Sequence, residues 1–309
     1  MTSRLQNSLE GARAKCRVMT CGLREALIIG AERTPLPTDG PRWLLRWALV
    51  CLVAGLTLFL FCGYHGGFSR FNDAASGLPS WLWQWLTVLG DGRVAFALTL
   101  FFSLRYPRVF WALILAALVA ALYTQTFKPM FSALRPPGVL DPESFNLIGP
   151  GHRKSSFPSG HSATAGVFLA VLVCYARSAP LRVLFILLAV LAGLSRVAVG
   201  VHWPVDVAAG LMGGALAAYA GVWLAERSAA VARNMAVHLV LVIVAAVMAV
   251  TLFYSDGGYD EAGPMLRVLA ISALSVAALS YLIMPLVQWR SSSDGGHLSS
   301  AKSRLIRKD

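Results

Sequence analysis

Charge is scarce in this sequence of 309 residues: 14% are Asp, Glu, Lys or Arg, against about 25% in an ordinary soluble domain, and 57% are hydrophobic. So little charge over this length excludes one large soluble core and calls for several membrane spans. Acidic residues are the scarcer sign, 15 against 27 Lys and Arg, which leaves a formal charge of +12. That excess does not mark a nucleic-acid partner. Most of it falls in short segments between apolar runs, where the positive-inside rule puts it. Cysteine is equally sparse. Five are present, with no disulfide pattern, no CxxC and no Cys/His set at zinc spacing. Cys51, Cys62 and Cys174 lie inside apolar runs and Cys16 and Cys21 in the N-terminal tail, so all five read as free thiols. No apolar run begins within roughly the first 40 residues, too late for a cleaved signal peptide, so the first is expected to be a retained span.

What is present is a series of apolar stretches. Residues 1–42 read as a basic cytoplasmic tail without a clear apolar period. Spans are expected at Trp43–Tyr64, Gly92–Leu104, Val109–Phe127, Ser159–Tyr175, Val183–Val201, Pro204–Leu224, His238–Tyr254 and Leu266–Val287. Trp81, Trp83 and Trp85 are dense enough to suggest an interfacial helix before the second span, with Asp91 as the N-cap of that span. Gly210 and Gly214, four apart in the sixth span, suggest close helix packing. Basic residues concentrate in the N-terminal tail, in the turns at Arg105–Arg108, Arg177–Arg182 and Arg227–Arg233, and in the C-terminal tail. If about eight spans alternate, all of these lie on one side, so both termini are expected in the cytoplasm. The loops after spans one, three, five and seven then face outward. The fold class expected is all-α and polytopic.

Three polar clusters stand at the outward ends of spans, where ionisable groups are expensive and usually functional. The first runs from Lys128 to Arg135-Pro136. The second is Phe157-Pro158-Ser159-Gly160-His161-Ser162. The third is Ser195-Arg196, five residues, His202, three residues, Asp206. Taken singly, each has an ordinary explanation. Asp206 suits the first turn of a helix, and Lys128, Arg135 and Arg196 suit snorkelling anchors. Their order, spacing and common side argue for a single site.

These clusters resemble, position for position, the signature of the type-2 phosphatidic acid phosphatase (PAP2) superfamily. The resemblance implies a six-helix membrane core over about residues 43–226, an added transmembrane hairpin at 227–288, and a basic cytoplasmic tail at 289–309. It implies hydrolysis of a lipid phosphomonoester or diphosphate through a phosphohistidine, with no metal and no other cofactor. By resemblance His202 is the nucleophile, and His161 protonates the leaving oxygen and then activates water. The residues themselves fit that chemistry. Lys128, Arg135 and Arg196 supply three cations, the arginines as forks suited to phosphate. Ser159 and Gly160 open a helix whose free N–H groups face the same place. Asp206, third in its helix if Pro204 is first, can reach back to the His202 imidazole and hold one ring nitrogen protonated.

The partners expected are a lipid phosphate and the surrounding membrane lipids, with no nucleic acid; nothing in the sequence sets an oligomeric state. Substrates suggested by the resemblance are undecaprenyl diphosphate, phosphatidylglycerophosphate, phosphatidic acid and a lipid A phosphate. They would be met at the outer, periplasmic face of an inner membrane. Two alternatives stand: a phosphotransferase passing the phosphate to another lipid, and a non-catalytic lipid-binding or transport protein. His65, His152, His238 and His297 receive no role. Arg153 and Lys154 serve equally as a headgroup contact or as part of a solvated loop, and Asp91 and Arg93 stand as capping residues.

Overall fold

The computed structural model describes residues 20–33 and 39–287. Every regular element among them is helical. In chain order the α-helices are α1 (20–33), α2 (Gly40–Cys62), α3 (Phe68–Ser76), α4 (Ser80–Val88), α5 (Gly92–Thr99), α6 (Pro107–Phe131), α7 (Pro136–Val139), α8 (Gly160–Tyr175), α9 (Ala179–Ala198), α10 (Pro204–Arg227), α11 (Ala229–Ala232), α12 (Met235–Thr251) and α13 (Gly263–Ala278). Proline at the first turn of α2, α6, α9, α10 and α13 starts each where a missing N–H costs nothing. Five segments are long and apolar enough to cross a membrane: Gly40–Cys62, Pro107–Val139, Ala179–Ala198, Pro204–Arg227 and Asp260–Val287. The helices Gly160–Tyr175 and Met235–Thr251 are apolar but shorter.

The expected second span is not one helix. Asp91 does cap α5, accepting from the Arg93 amide at 2.8 Å. After Thr99, however, the chain tightens into successive i to i+3 turns, with Phe102 N bonded to Thr99 O and Ser103 N to Leu100 O. The Thr99 and Ser103 hydroxyls reinforce these turns by donating to carbonyls three residues back. Nor is the N-terminal region featureless. Residues 20–33 form a helix, and Leu23, Leu27 and Ala31, four apart, bury one stripe of it. Residues 40–42 already belong to α2. Residues 1–19, Cys16 included, and 34–38 of the expected N-terminal tail, and the whole expected C-terminal tail at 289–309, lie outside the described residues.

α10 is the central helix, packed by α2, α6, α8 and α9. Its glycines decide how closely. A Cβ at Gly214 would lie 2.7 Å from the Ala163 carbonyl of α8, and one at Gly221 would collide with the backbone of Ala116 in α6. Lipid offers no hydrophobic force between helices, so such close contact is what holds them together. At one end of the bundle the basic turns gather. There Arg182 makes a two-pronged bond to Asp39, 2.6 Å on each side, and Trp111 donates to Ser228. The three motif clusters gather at the other end. Gly221→Leu is expected to lower the thermal midpoint of the detergent-purified protein by more than about 5 °C. Gly92→Ala, at a position with open space around it, should leave the midpoint unchanged. A scanning fluorimetry comparison checks both.

Candidate active site

The centre of the site is the turn between α9 and α10. Gly200 takes a left-handed φ of 79°, and a Cβ there would lie 2.5 Å from the Asn146 carbonyl, so only glycine fits. This turn brings the Val201 and His202 amides back onto the Arg196 carbonyl, at 3.1 and 3.2 Å. Asn72 of α3, fully buried, clamps it from outside. Its Nδ2 donates to the carbonyls of Val197, Ala198 and Asn146, and its Oδ1 accepts from the Asn146 amide. The last carbonyls of α9 thus find a donor inside the protein.

Pro204 begins α10, so Asp206 occupies its third position. Asp206 Oδ2 lies 3.2 Å from His202 Nδ1, accepts from the Trp203 amide at 2.9 Å and from Ser156 Oγ at 2.5 Å. Oδ1 accepts from the Tyr64 hydroxyl, also at 2.5 Å. An ionised carboxylate only accepts, so Nδ1 carries the ring proton and Nε2 keeps its lone pair. Burial and the Asp206 charge raise the Tyr64 pKa, which keeps the phenol a donor. His202 is 1% exposed. Burial holds its imidazole well below the usual range, against the Asp206 hydrogen bond, which raises it, and with Arg135 and Arg196, which lower it further.

Around this pair stand the cations. Lys128, in the last turn of α6, brings its Nζ within 3.3 Å of where a Gly160 Cβ would be. Arg135, 9% exposed, is held through Nε on the Lys154 carbonyl at 2.9 Å, with its amide on the Arg153 carbonyl at 3.0 Å. The backbones of Arg153 and Lys154, rather than their charges, therefore make the contact. Arg196 is 2% exposed and donates through Nη1 to Thr87 and Tyr259. His152 reports the convergence: its pKa is lowered by partial burial and then by Arg135, Arg196 and Lys128 together.

Ser159 is the N-cap of α8. Its oxygen accepts from the Ser162 hydroxyl at 2.8 Å and its amide donates to the Asp206 carbonyl at 3.1 Å. It is fully buried, so it locks α8 against α10 as well as opening the helix. His161 follows on the first turn, close against the α4–α5 turn. A side chain at Gly90 would meet the His161 backbone at 2.6 Å. The structure thus brings together Lys128, Arg135, Ser159, Gly160, His161, Arg196, His202 and Asp206. Sequence reading missed Tyr64, Asn72, Gly90, Ser156 and Tyr259, which reach the site from distant segments. Only Ser156, one residue before the second cluster, carried a local signal. His65, given no role, stacks on Trp203 with ring centroids 4.0 Å apart.

Residues 109–230 match the sequence profile of the PAP2 superfamily. Over 61 residues the chain is 52% identical to a lipid A 1-phosphatase of Rhizobium johnstonii, covering 19% of this chain and 24% of that protein. Over 126 residues it is 32% identical to an undecaprenyl-diphosphatase of Sulfolobus acidocaldarius, covering 41% of this chain and 59% of that protein. The matched stretches thus span less than two thirds of each of these relatives. A crystal structure of Aquifex aeolicus LpxE aligns with 50% of this chain and 92% of its own, at 29% identity and a TM-score of 0.47. The matched segment, residues 109–230, encloses all three motif clusters.

Proposed function

We propose that this protein is a membrane lipid phosphatase that works through a phosphohistidine at His202. The observation that carries this reading is the buried imidazole whose Nδ1 is fixed on a fourfold-bonded carboxylate, beside three cations. In the first step Nε2 attacks phosphorus as the bond to the lipid oxygen breaks, and His161 gives that oxygen a proton. The positive charge left on the phosphorylated ring is balanced by Asp206. In the second step His161 takes a proton from water, the hydroxide attacks phosphorus and the N–P bond breaks, releasing phosphate and free His202. Lys128, Arg135, Arg196 and the α8 N-terminus, with Ser159 and Gly160, hold the phosphoryl oxygens throughout. The incoming phosphate offsets the three cations, which lets His161 hold the proton it must donate.

In-line displacement puts the leaving lipid opposite His202, on the His161 side. A cavity of about 290 Å³ opens there, lined by Lys128, Gly160 and His161 together with Phe96, Leu113, Ile114 and Phe168. A mostly apolar cavity that shares residues with the proposed phosphate-binding cluster suits a lipid phosphate better than a soluble ester. The relatives suggest a lipid A phosphate or undecaprenyl diphosphate within the set named above. We assign the catalytic core to residues 43–226, the added hairpin to 227–288, and cytoplasmic tails to both ends. The site then faces the periplasm from an inner membrane, because the basic turns lie at the opposite end of the bundle.

Detergent-purified protein is expected to release phosphate from at least one of these lipids in EDTA. His202→Ala should lower that release by about a thousandfold or more; an equally active variant would remove the reading. Ser156→Ala and Tyr64→Phe each remove one donor from Asp206. Each should lower kcat by about tenfold with a smaller change in KM, measured with the preferred lipid.

A further inference from the structure

The hairpin formed by α12 and α13 lies beyond the matched segment, yet its connecting loop is built into the site. Arg196 Nη1 donates to the Thr87 hydroxyl at 2.6 Å and to the Tyr259 hydroxyl oxygen at 2.8 Å. The guanidinium carbon also lies 5.9 Å from the Tyr259 ring centroid. Arg196 Nε is buried without a partner among the described residues. One end of the guanidinium is therefore pinned, while Nε keeps a donor that the described residues do not satisfy.

Tyr259 is itself 5% exposed and fixed from several sides. Its ring would lie 2.7 Å from a Cβ at Gly149, in the loop that leads to the second cluster. Next to it, Glu261 Oε2 accepts from Ser80 and Gln84, at 2.5 Å each. The Glu261 amide donates to Gln84 Oε1 and its carbonyl accepts from the Trp85 indole. Arg93 Nη1 holds the start of the loop through the Ser255 carbonyl at 3.0 Å. A loop fastened this firmly to α4 and α5 sets the position of its tyrosine oxygen.

We infer that the hairpin serves the active site, with Tyr259 as a positioning residue that orients Arg196 toward the substrate phosphate. This rests on the phosphatase reading in that it takes Arg196 as a phosphate ligand. Thr87 and Tyr259 hold Nη1 from two elements, so the plane of the fork is set before substrate arrives. Preorganised donors of this kind stabilise charge without reorganising during reaction.

Tyr259→Phe keeps the ring against Gly149 and deletes the oxygen. The variant is expected to lose about tenfold in kcat/KM for lipid phosphate, to bind inorganic phosphate more weakly as an inhibitor, and to keep the wild-type thermal midpoint. In an Arg196→Lys background the same change should cost less than about twofold, because its partner is gone. Tyr259→Phe activity within twofold of wild type would overturn the inference. So would an undiminished loss in the Arg196→Lys background, or a fall in thermal midpoint that tracks the loss. Should the wild type release phosphate from no lipid, the phosphatase reading fails separately. Protection against thermal unfolding by inorganic phosphate then decides the role of Tyr259. Weaker protection of Tyr259→Phe supports it, and equal protection, or none for either protein, overturns it.

Discussion

The carboxylate of Asp206 is the constraint on which the rest of this site depends. It is fully buried, and a carboxylate out of water costs several kcal/mol unless donors surround it. Four donors do so, and they come from three places in the chain: Tyr64 after α2, Ser156 before α8, and the His202 ring with the neighbouring Trp203 amide. Satisfying one charge thus ties together the end of α2, the start of α8 and the α9–α10 turn. The same bonds fix the imidazole's tautomer and leave its other nitrogen free.

The cations answer a second demand. Lys128, Arg135 and Arg196 crowd one space with a single carboxylate nearby, an arrangement that repels itself until an anion enters. Backbone carbonyls hold Arg135 and hydroxyls hold Arg196, so neither fork is neutralised by an acidic partner. Dipoles keep the arginines in place while leaving their charge for a ligand. That is the ground for proposing the cluster as a receptor for phosphate instead of a structural ion-pair network.

The last hairpin alters how this chain's architecture is understood. By sequence it is an appendage to a six-helix core. In the fold its loop packs on Gly149 and Pro150, and its Glu261 is bonded by Ser80 and Gln84 of α4. Its acidic residue meets neutral donors instead of a cation, so charge counting gave no hint of the contact. α12 and α13 also pack beside α5, which is only eight residues long and gains from them the cover it lacks.

The order of the motifs, the apolar stretches and a helix start at Pro204 were legible in the sequence, because each is a local pattern. With Pro204 as the first helical residue, Asp206 falls in the first turn of α10, four residues after His202. Two features were not legible locally. Thr99 and Ser103 tighten the stretch after α5 into turns, and residues 20–33 form a helix whose apolar stripe is only three residues long. Tyr64, Asn72, Gly90 and Tyr259 could not be assigned from sequence, since nothing near them suggests the site. Their roles follow from where four distant segments come to rest. Covalent neighbours decide a helix start, but a buried charge is satisfied by whatever donors packing brings within 3 Å, and only the tertiary structure selects those.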